Sequence, residues 1–269
     1  MRVGPTGHRI VFVAPFVALV IGGCAGGTAK PQAPEAGRVA AGPGAKVGAL
    51  FLTGLKGLHV CTASVVHSAT GNVIATAAHC ISGTGVGVVF APGYAAGAAP
   101  FGTWTVIGAY ADPAWVQQRD PRADVVFLRV APSPGNAPGS EPVERVVGAS
   151  TMSVAPVDGT RVTATGYALG SGDRPLTCSA ATRTTGGFPT LPCGPLPAGT
   201  SGAPWITSAS ATGSHAELVG VTGGLHQGGC TADVSYSAPF GADTADVLAR
   251  ATAGGPADTL PNVFGQDGC

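Results

Sequence analysis

The sequence predicts an all-β protein built from two antiparallel β-barrels, with one helix near the C-terminus. Three observations carry that expectation. From Val47 onward, short runs rich in valine, threonine and small residues recur at short intervals, separated by turn-forming residues. Glycine and proline account for 43 and 23 of the 269 residues, while only 10% are charged. That balance suits short strands joined by many turns. A stretch with several prolines and glycines, residues 131–142 (APSPGNAPGSEP), then interrupts the series and reads as a linker between two similar halves. A single β-sandwich is the alternative architecture.

Residues 1–23 read as an export signal rather than part of the fold. Arg2 and Arg9 give a basic start, Ile10 to Ile21 an apolar core, and Gly22 and Gly23 a small-residue end. The apolar core is shorter than the ~20 residues a spanning helix needs, and Pro15 weakens a helix further. The end of the segment, Ile21-Gly22-Gly23-Cys24, resembles the lipobox of bacterial lipoproteins, which implies lipidation of Cys24 and a mature chain that begins there. Of seven cysteines, removal of Cys24 leaves an even set able to form disulfides in an oxidising compartment. Ordinary secretion with loss of Cys24 is the rival. Residues 24–45 lack hydrophobic periodicity and read as a flexible tether, with a short propeptide as the alternative.

The first barrel is expected over 46–130, in the runs VGALFL (47–52), LHVCTASVVH (58–67), VIATAAHC (73–80), VGVVFAP (86–92), TWTVIGAY (103–110) and DVVFLRV (124–130). The second, over 143–251, resumes with VERVVG (143–148), RVTATGY (161–167) and LVGVTGG (218–224). It closes with the helix 243–251 (DTADVLARA), where Asp243 can cap the start and Arg250 sits near the negative end. Residues 252–269 read as an irregular tail. The 14 basic and 14 acidic residues leave no net charge, and so no electrostatic reason for a nucleic-acid partner.

The chemistry centres on three residues. His79 ends an apolar strand beside Cys80. Cys61 and Cys80 lie symmetrically about the turn near Thr70 and Gly71, so a hairpin brings them together and a bridge would staple the segment that presents His79. Ser201 lies in Gly199-Thr200-Ser201-Gly202-Ala203-Pro204, where glycines permit a tight turn. The backbone N–H groups of Gly199 and Ser201 would form an oxyanion hole. A buried carboxylate is needed to orient the imidazole. Asp124, directly before an apolar strand, is favoured over Asp120 and Asp112, which precede prolines. Two further disulfides are expected: Cys178–Cys193, closing a short loop before the serine segment, and Cys230–Cys269, by elimination.

TAAHC (76–80), the aspartate before an apolar strand, and GTSGAP (199–204), in the order His, Asp, Ser, resemble the chymotrypsin-like serine protease family over about residues 46–251. CTASVVHSATGNVIATAAHC (61–80) is similar to its secreted bacterial, trypsin-like branch. The resemblance implies two six-stranded barrels with the site between them, and a catalytic triad of His79, Asp124 and Ser201. Two departures stand out. Thr200 replaces the usual Asp, which excludes the ion pair of animal zymogen activation, and Ala203 replaces a second Gly. The resemblance places the specificity pocket near Pro195 to Ala198 and along Thr222, Gly223 and Gly224. No acid occurs between Asp173 and Ser201 to select Lys or Arg. His226 would favour acidic side chains if it enters the pocket, although a loop histidine without a role is the plainer reading.

The expected function is therefore an extracytoplasmic serine endopeptidase. It would be a monomer acting on protein or peptide substrates, without a cofactor or a catalytic metal, held at the membrane by a lipid on Cys24. The alternatives are a non-catalytic protease-fold module that binds a protein or cell-wall partner, and a structural envelope lipoprotein.

Overall fold

Valine, isoleucine and threonine dominate much of the chain from Val47 to Val130, and their branched Cβ atoms favour extended backbone. In the computed structural model these residues form β1 (Val47–Phe51), β2 (His59–Val66), β3 (Val73–Thr76), β4 (Val89–Pro92), β5 (Trp104–Ala111) and β6 (Val126–Pro132). The six strands close into an antiparallel barrel in the order β1-β2-β3-β6-β5-β4. Closure leaves no unpaired edge. Leu50, Ile74, Trp104 and Leu128 belong to the core that fills it.

Every residue of β3 is buried, and the reason is cover on both faces. Ile74 belongs to the barrel core, whereas Val73 and Ala75, together with Phe127 of β6, pack in a second cluster with Leu218, Val221 and Phe240. That seam joins the first half of the chain to the second and accounts for the continuous apolar run at 73–75.

The second half contains β7 (Thr151–Met152), β8 (Arg161–Tyr167), β9 (Pro175–Ala181), β10 (Arg183–Thr185), β11 (Phe188–Leu191), β12 (Pro204–Thr207), β13 (Glu217–Val221) and β14 (Ser235–Tyr236). They form a five-stranded sheet, β7-β13-β12-β8-β9, and a three-stranded sheet, β10-β11-β14. One pairing, β7 with β13, is parallel. Trp205, Val162, Leu191 and Val219 form the core of this half.

Among the described residues, three α-helices are present where one was expected. α1 (Pro113–Gln118) starts at Asp112, whose side chain accepts from the Ala114 N–H, with Pro113 at the first helical position. α2 (Val143–Val147) replaces the strand expected for VERVVG. Its two buried valines, Val143 and Val147, lie one helical turn apart, and Gly148 at φ 76° ends it. Glu144, between them in sequence, accepts from the Ser68 N–H and pairs with His67. α3 (Ala242–Ala253) covers the expected 243–251, but its N-cap is Gly241, whose N–H donates to Thr244 Oγ1, and not Asp243. Val247 and Ala251 bury α3 in the seam.

The chain divides into two units, Met1–Arg38 and Val39–Cys269. The structure describes residues 1, 2, 4, 44–134, 136, 141–169, 174–193, 196–207, 217–231, 233–263 and 269. The signal segment, Cys24 and nearly all of the tether lie outside these residues, as do Pro195 and much of the 131–142 linker. Among the described residues, no helix is long and apolar enough to cross a membrane.

Candidate active site

His79 lies just beyond β3, in the 3₁₀ turn Ala78–Cys80, and is 6% exposed. The Cys61–Cys80 disulfide ties that turn to β2. The β2–β3 register, Ser64 opposite Ala75, would set Cys61 against Ala78. The turn carries the chain the remaining distance, and the two Cα atoms stand 6.2 Å apart. The structure also contains the disulfides Cys178–Cys193 and Cys230–Cys269.

Asp124 is completely buried and follows the 3₁₀ turn Pro121–Ala123. Its carboxylate accepts three N–H donors. His79 Nδ1 donates to Oδ2 at 2.7 Å, the His79 backbone N–H to Oδ1 at 2.9 Å, and the Gly224 N–H to Oδ2 at 2.8 Å. Burying a carboxylate is costly unless such donors replace water. A bound Nδ1–H also fixes the imidazole tautomer, leaving Nε2 as the acceptor nitrogen. The two competing aspartates serve as caps: Asp112 for α1, and Asp120 for the 3₁₀ turn, where it accepts from the Arg122 N–H at 2.9 Å.

Ser201 is held from the first barrel. Its carbonyl accepts from the Thr62 N–H at 2.8 Å. The buried Thr62 hydroxyl donates to the Gly199 carbonyl at 3.3 Å and accepts from the Tyr167 N–H at 2.8 Å. The Thr62 carbonyl in turn accepts from Thr76 Oγ1 at 2.7 Å. Sequence reasoning passed over Thr62, and its one signal is a threonine embedded in the apolar strand next to Cys61. Burial pushes the neighbouring Tyr167 hydroxyl well above its ordinary range, so that group stays neutral.

The loop geometry requires its glycines. Gly199 has φ +92°, and a Cβ there would strike the backbone of Tyr167 and Leu169. Gly202 has φ +78°, and a Cβ there would strike the Thr62 carbonyl and Thr76 Oγ1. The N–H of Thr200 donates to Pro197 and that of Gly202 to Thr222. Among the described residues, the N–H groups of Gly199 and Ser201 meet no protein acceptor.

The two departures from the serine motif also find their places. Thr200 is buried and its hydroxyl donates to the Pro197 carbonyl at 2.7 Å, holding its own loop together. Ala203 is fully buried, and its methyl occupies space left by Gly166, where a Cβ would come within 2.9 Å of it and 3.0 Å of Thr200 Cβ.

His79, Gly199 and Ser201 line one cavity of about 450 Å³, with Val60, Ala198, His226, Gln227, Cys230 and Cys269 among its other walls. Thr222, Gly223 and Gly224 are buried and do not line it. Thr222 Oγ1 instead accepts from Trp205 Nε1 at 3.1 Å, and Gly224 serves Asp124. Gly223 sits so close to Asp124 that a Cβ would stand 3.0 Å from Oδ2. A smaller cavity of about 290 Å³, between Asp112–Val125 and Pro239–Val247, holds none of these groups. The larger cavity therefore brings the His79 imidazole and the Ser201 hydroxyl to one surface, beside the Gly199 backbone.

No family model matches the chain, and no curated protein matches it by sequence. Solved structures do. The protease Anisep from Arthrobacter nicotinovorans is 25% identical, with a TM-score of 0.64 over 78% of this chain and 96% of its own. The thermostable serine protease AL20, from an extremophilic microorganism, is 24% identical, with a TM-score of 0.64 over 79% and 99%. A Glu endopeptidase is 16% identical, with a TM-score of 0.60 over 79% and 93%. Together with the closed barrel and the two sheets that follow it, these matches give the chain the double-barrel fold of the chymotrypsin-like serine proteases.

Proposed function

We propose that the protein is an extracytoplasmic serine endopeptidase. Ser201 Oγ attacks the scissile carbonyl, and His79 takes its proton and then delivers it to the leaving amine. Asp124 holds the imidazole in the required tautomer, and water releases the acyl group from Ser201. The observation that supports this best is the buried Asp124–His79 pair beside a cavity that Ser201 also lines. The undonated N–H groups of Gly199 and Ser201 supply the oxyanion hole, where a single donor is typically worth ~10²–10³ in rate. Substrate is a protein or peptide whose side chain meets a wall without Asp, Glu, Lys or Arg among the described residues. The resemblance of Ile21-Gly22-Gly23-Cys24 to a lipobox supports a domain tethered through Cys24 to the outer face of a membrane.

A fluorophosphonate probe, which reacts only with an activated serine, tests this reading. Wild type should be labelled, whereas Ser201→Ala and His79→Ala should not be, with their thermal unfolding unchanged. Labelling of Ser201→Ala at the wild-type rate would remove Ser201 as the nucleophile. An unlabelled, folded wild type would favour a protease-fold binding module instead.

A further inference from the structure

Outside the barrel core, a separate buried cluster joins the first half of the chain to the serine loop. Side chains alternate along β1, as in any strand. Leu50 belongs to the barrel core, whereas Val47, Ala49 and Phe51 pack on the other face with Ala91 and Tyr94. Among the described residues, Tyr167 is the only buried member of that cluster from the second half. Four rings meet there. Phe51 ends β1 and pairs with His59, the first residue of β2, and Tyr94 follows β4. Between ring centroids, Phe51 lies 5.0 Å from Tyr94 and 5.8 Å from His59, and His59 lies 6.1 Å from Tyr94, all edge to face. The Tyr167 ring stands against two of them, 5.9 Å from His59 and 6.4 Å from Tyr94. These are the spacings of attractive ring pairs, and none of the four residues is more than 5% exposed.

The backbone of the same tyrosine carries the loop before Ser201. Its N–H donates to Thr62 Oγ1 at 2.8 Å, and that hydroxyl donates to the Gly199 carbonyl. Two residues on, the Leu169 N–H donates to the Ala198 carbonyl at 2.8 Å. Gly199 lies so close that a Cβ there would strike the Tyr167 carbonyl and the Leu169 nitrogen. Residues 167–169 are thus a seat for Ala198 and Gly199, and the Tyr167 ring roots that seat in the first barrel.

We propose that Tyr167 is a positioning residue for the oxyanion hole, its ring fixing the Gly199 N–H through the backbone of residues 167–169. An aliphatic side chain could fill much of the same volume, but it lacks the ring edge and face that set one orientation against His59 and Tyr94. A tilt of the ring moves residues 167–169, and Gly199 has no free space in which to absorb the shift. A donor must stand about 2.7–3.1 Å from the developing oxyanion, so a small displacement slows acylation without loosening substrate. This catalytic consequence rests on the proposed hydrolytic reading, whereas the seating of the loop does not.

The test compares Tyr167→Leu, Tyr167→Phe and Tyr94→Leu in the full chain, at temperatures where each is folded. In pre-steady-state acylation by p-nitrophenyl acetate, Tyr167→Leu should lower the acylation rate constant by about 10²-fold, the cost of misplacing a group by about 1 Å, and leave the binding constant of the ester unchanged. Fluorophosphonate labelling of Ser201 should slow in step. Tyr167→Phe keeps the ring and should keep the rate, which separates the ring from its hydroxyl. Tyr94→Leu should slow acylation by less, and the double variant should lose less than the product of the two, since both act through one path. Leu128→Ala, in the barrel core, should lower Tm and leave acylation unchanged, so that instability alone does not mimic the effect. In hydrogen–deuterium exchange, the Leu169 and Thr200 amides should exchange faster in Tyr167→Leu than in wild type or Tyr167→Phe. Acylation at the wild-type rate in Tyr167→Leu would overturn the role in the oxyanion hole, and unchanged exchange would overturn the seating. Should Tyr167→Leu fail to fold, Tyr94→Leu must show both effects, and their absence overturns the proposal. A folded wild type that neither hydrolyses the ester nor takes the label would instead count against the protease reading, and exchange would still decide whether the ring seats the loop.

Discussion

Replacing Thr62 by valine would remove one buried hydroxyl while keeping the shape of the side chain. The hydroxyl has two partners, the Tyr167 N–H at 2.8 Å and the Gly199 carbonyl at 3.3 Å. The second bond is long and contributes little. The first is short, and its loss leaves a buried N–H without an acceptor, which costs about 1–3 kcal/mol. Taking about 2 kcal/mol at ~2–4 °C per kcal/mol for a chain of this size, Tm should fall by about 4–8 °C. The Thr62 backbone N–H still holds the Ser201 carbonyl, so the nucleophile stays roughly in place. The Gly199 segment loses its tie to the first barrel, and kcat for an ester substrate should drop, by less than the ~10²–10³ that loss of an oxyanion donor brings. KM should change little, and Thr62→Ser should restore both Tm and kcat. Scanning calorimetry and steady-state ester hydrolysis read the two effects. A Thr62→Val protein within about 1 °C of wild type, with unchanged kcat, would refute the role given to the hydroxyl.

Asp124→Asn should lower kcat by about 10⁴-fold, because an amide cannot enforce the same histidine tautomer. It should also lower Tm, since three N–H donors would then converge on a group that carries donors of its own. Gly166→Ala should destabilise through contact with Ala203 and Thr200, and Ala203→Gly should relieve part of that loss; additive effects in urea unfolding would deny the contact. In detergent phase partition, the wild-type chain expressed in a lipoprotein-processing bacterium should enter the detergent phase, and Cys24→Ala should remain aqueous. A wild-type mature chain starting downstream of Cys24, without lipid mass, would exclude the anchor.

The readable parts of the fold were those where local pattern and tertiary setting agree. The runs around β2, β3, β5 and β6 are rich in branched and apolar residues because most of their length is buried, and they are legible as strands. β9 and β10 were not. Along β9, exposed residues alternate with partly buried ones, β10 is exposed throughout, and neither has the valine content that marks the first half. α2 misled for the opposite reason, since its valines suit a strand and only their spacing against a buried face makes a helix. At the site, His79 and Ser201 stood out through local motifs. Asp124 needed a comparison among three aspartates, and the structure supplies the physical distinction, because the other two spend their oxygens on caps. Gly166 and the Gly224 N–H have no local signature, and that of Thr62 is no more than a threonine inside an apolar strand. Each matters through a neighbour tens of residues or more away.

The bonds that organise Ser201 and Asp124 have a bearing on timing. Asp124 lies 45 residues from His79 but 100 from Gly224, and Thr62 lies 137 from Gly199. A chain emerging from its N-terminus therefore brings His79 and Asp124 together within the first barrel well before the serine segment exists to be held. Thr62 waits in β2 as a socket for a loop not yet made, and Asp124 lacks its third donor until β13 has passed. Non-local pairing of this kind closes late and slowly. On the proposed reading, a half-exported chain is chemically inert. The cell that makes a hydrolase of its own kind of polymer is then shielded during export by the order in which the parts arrive, with no inhibitory segment required for that interval.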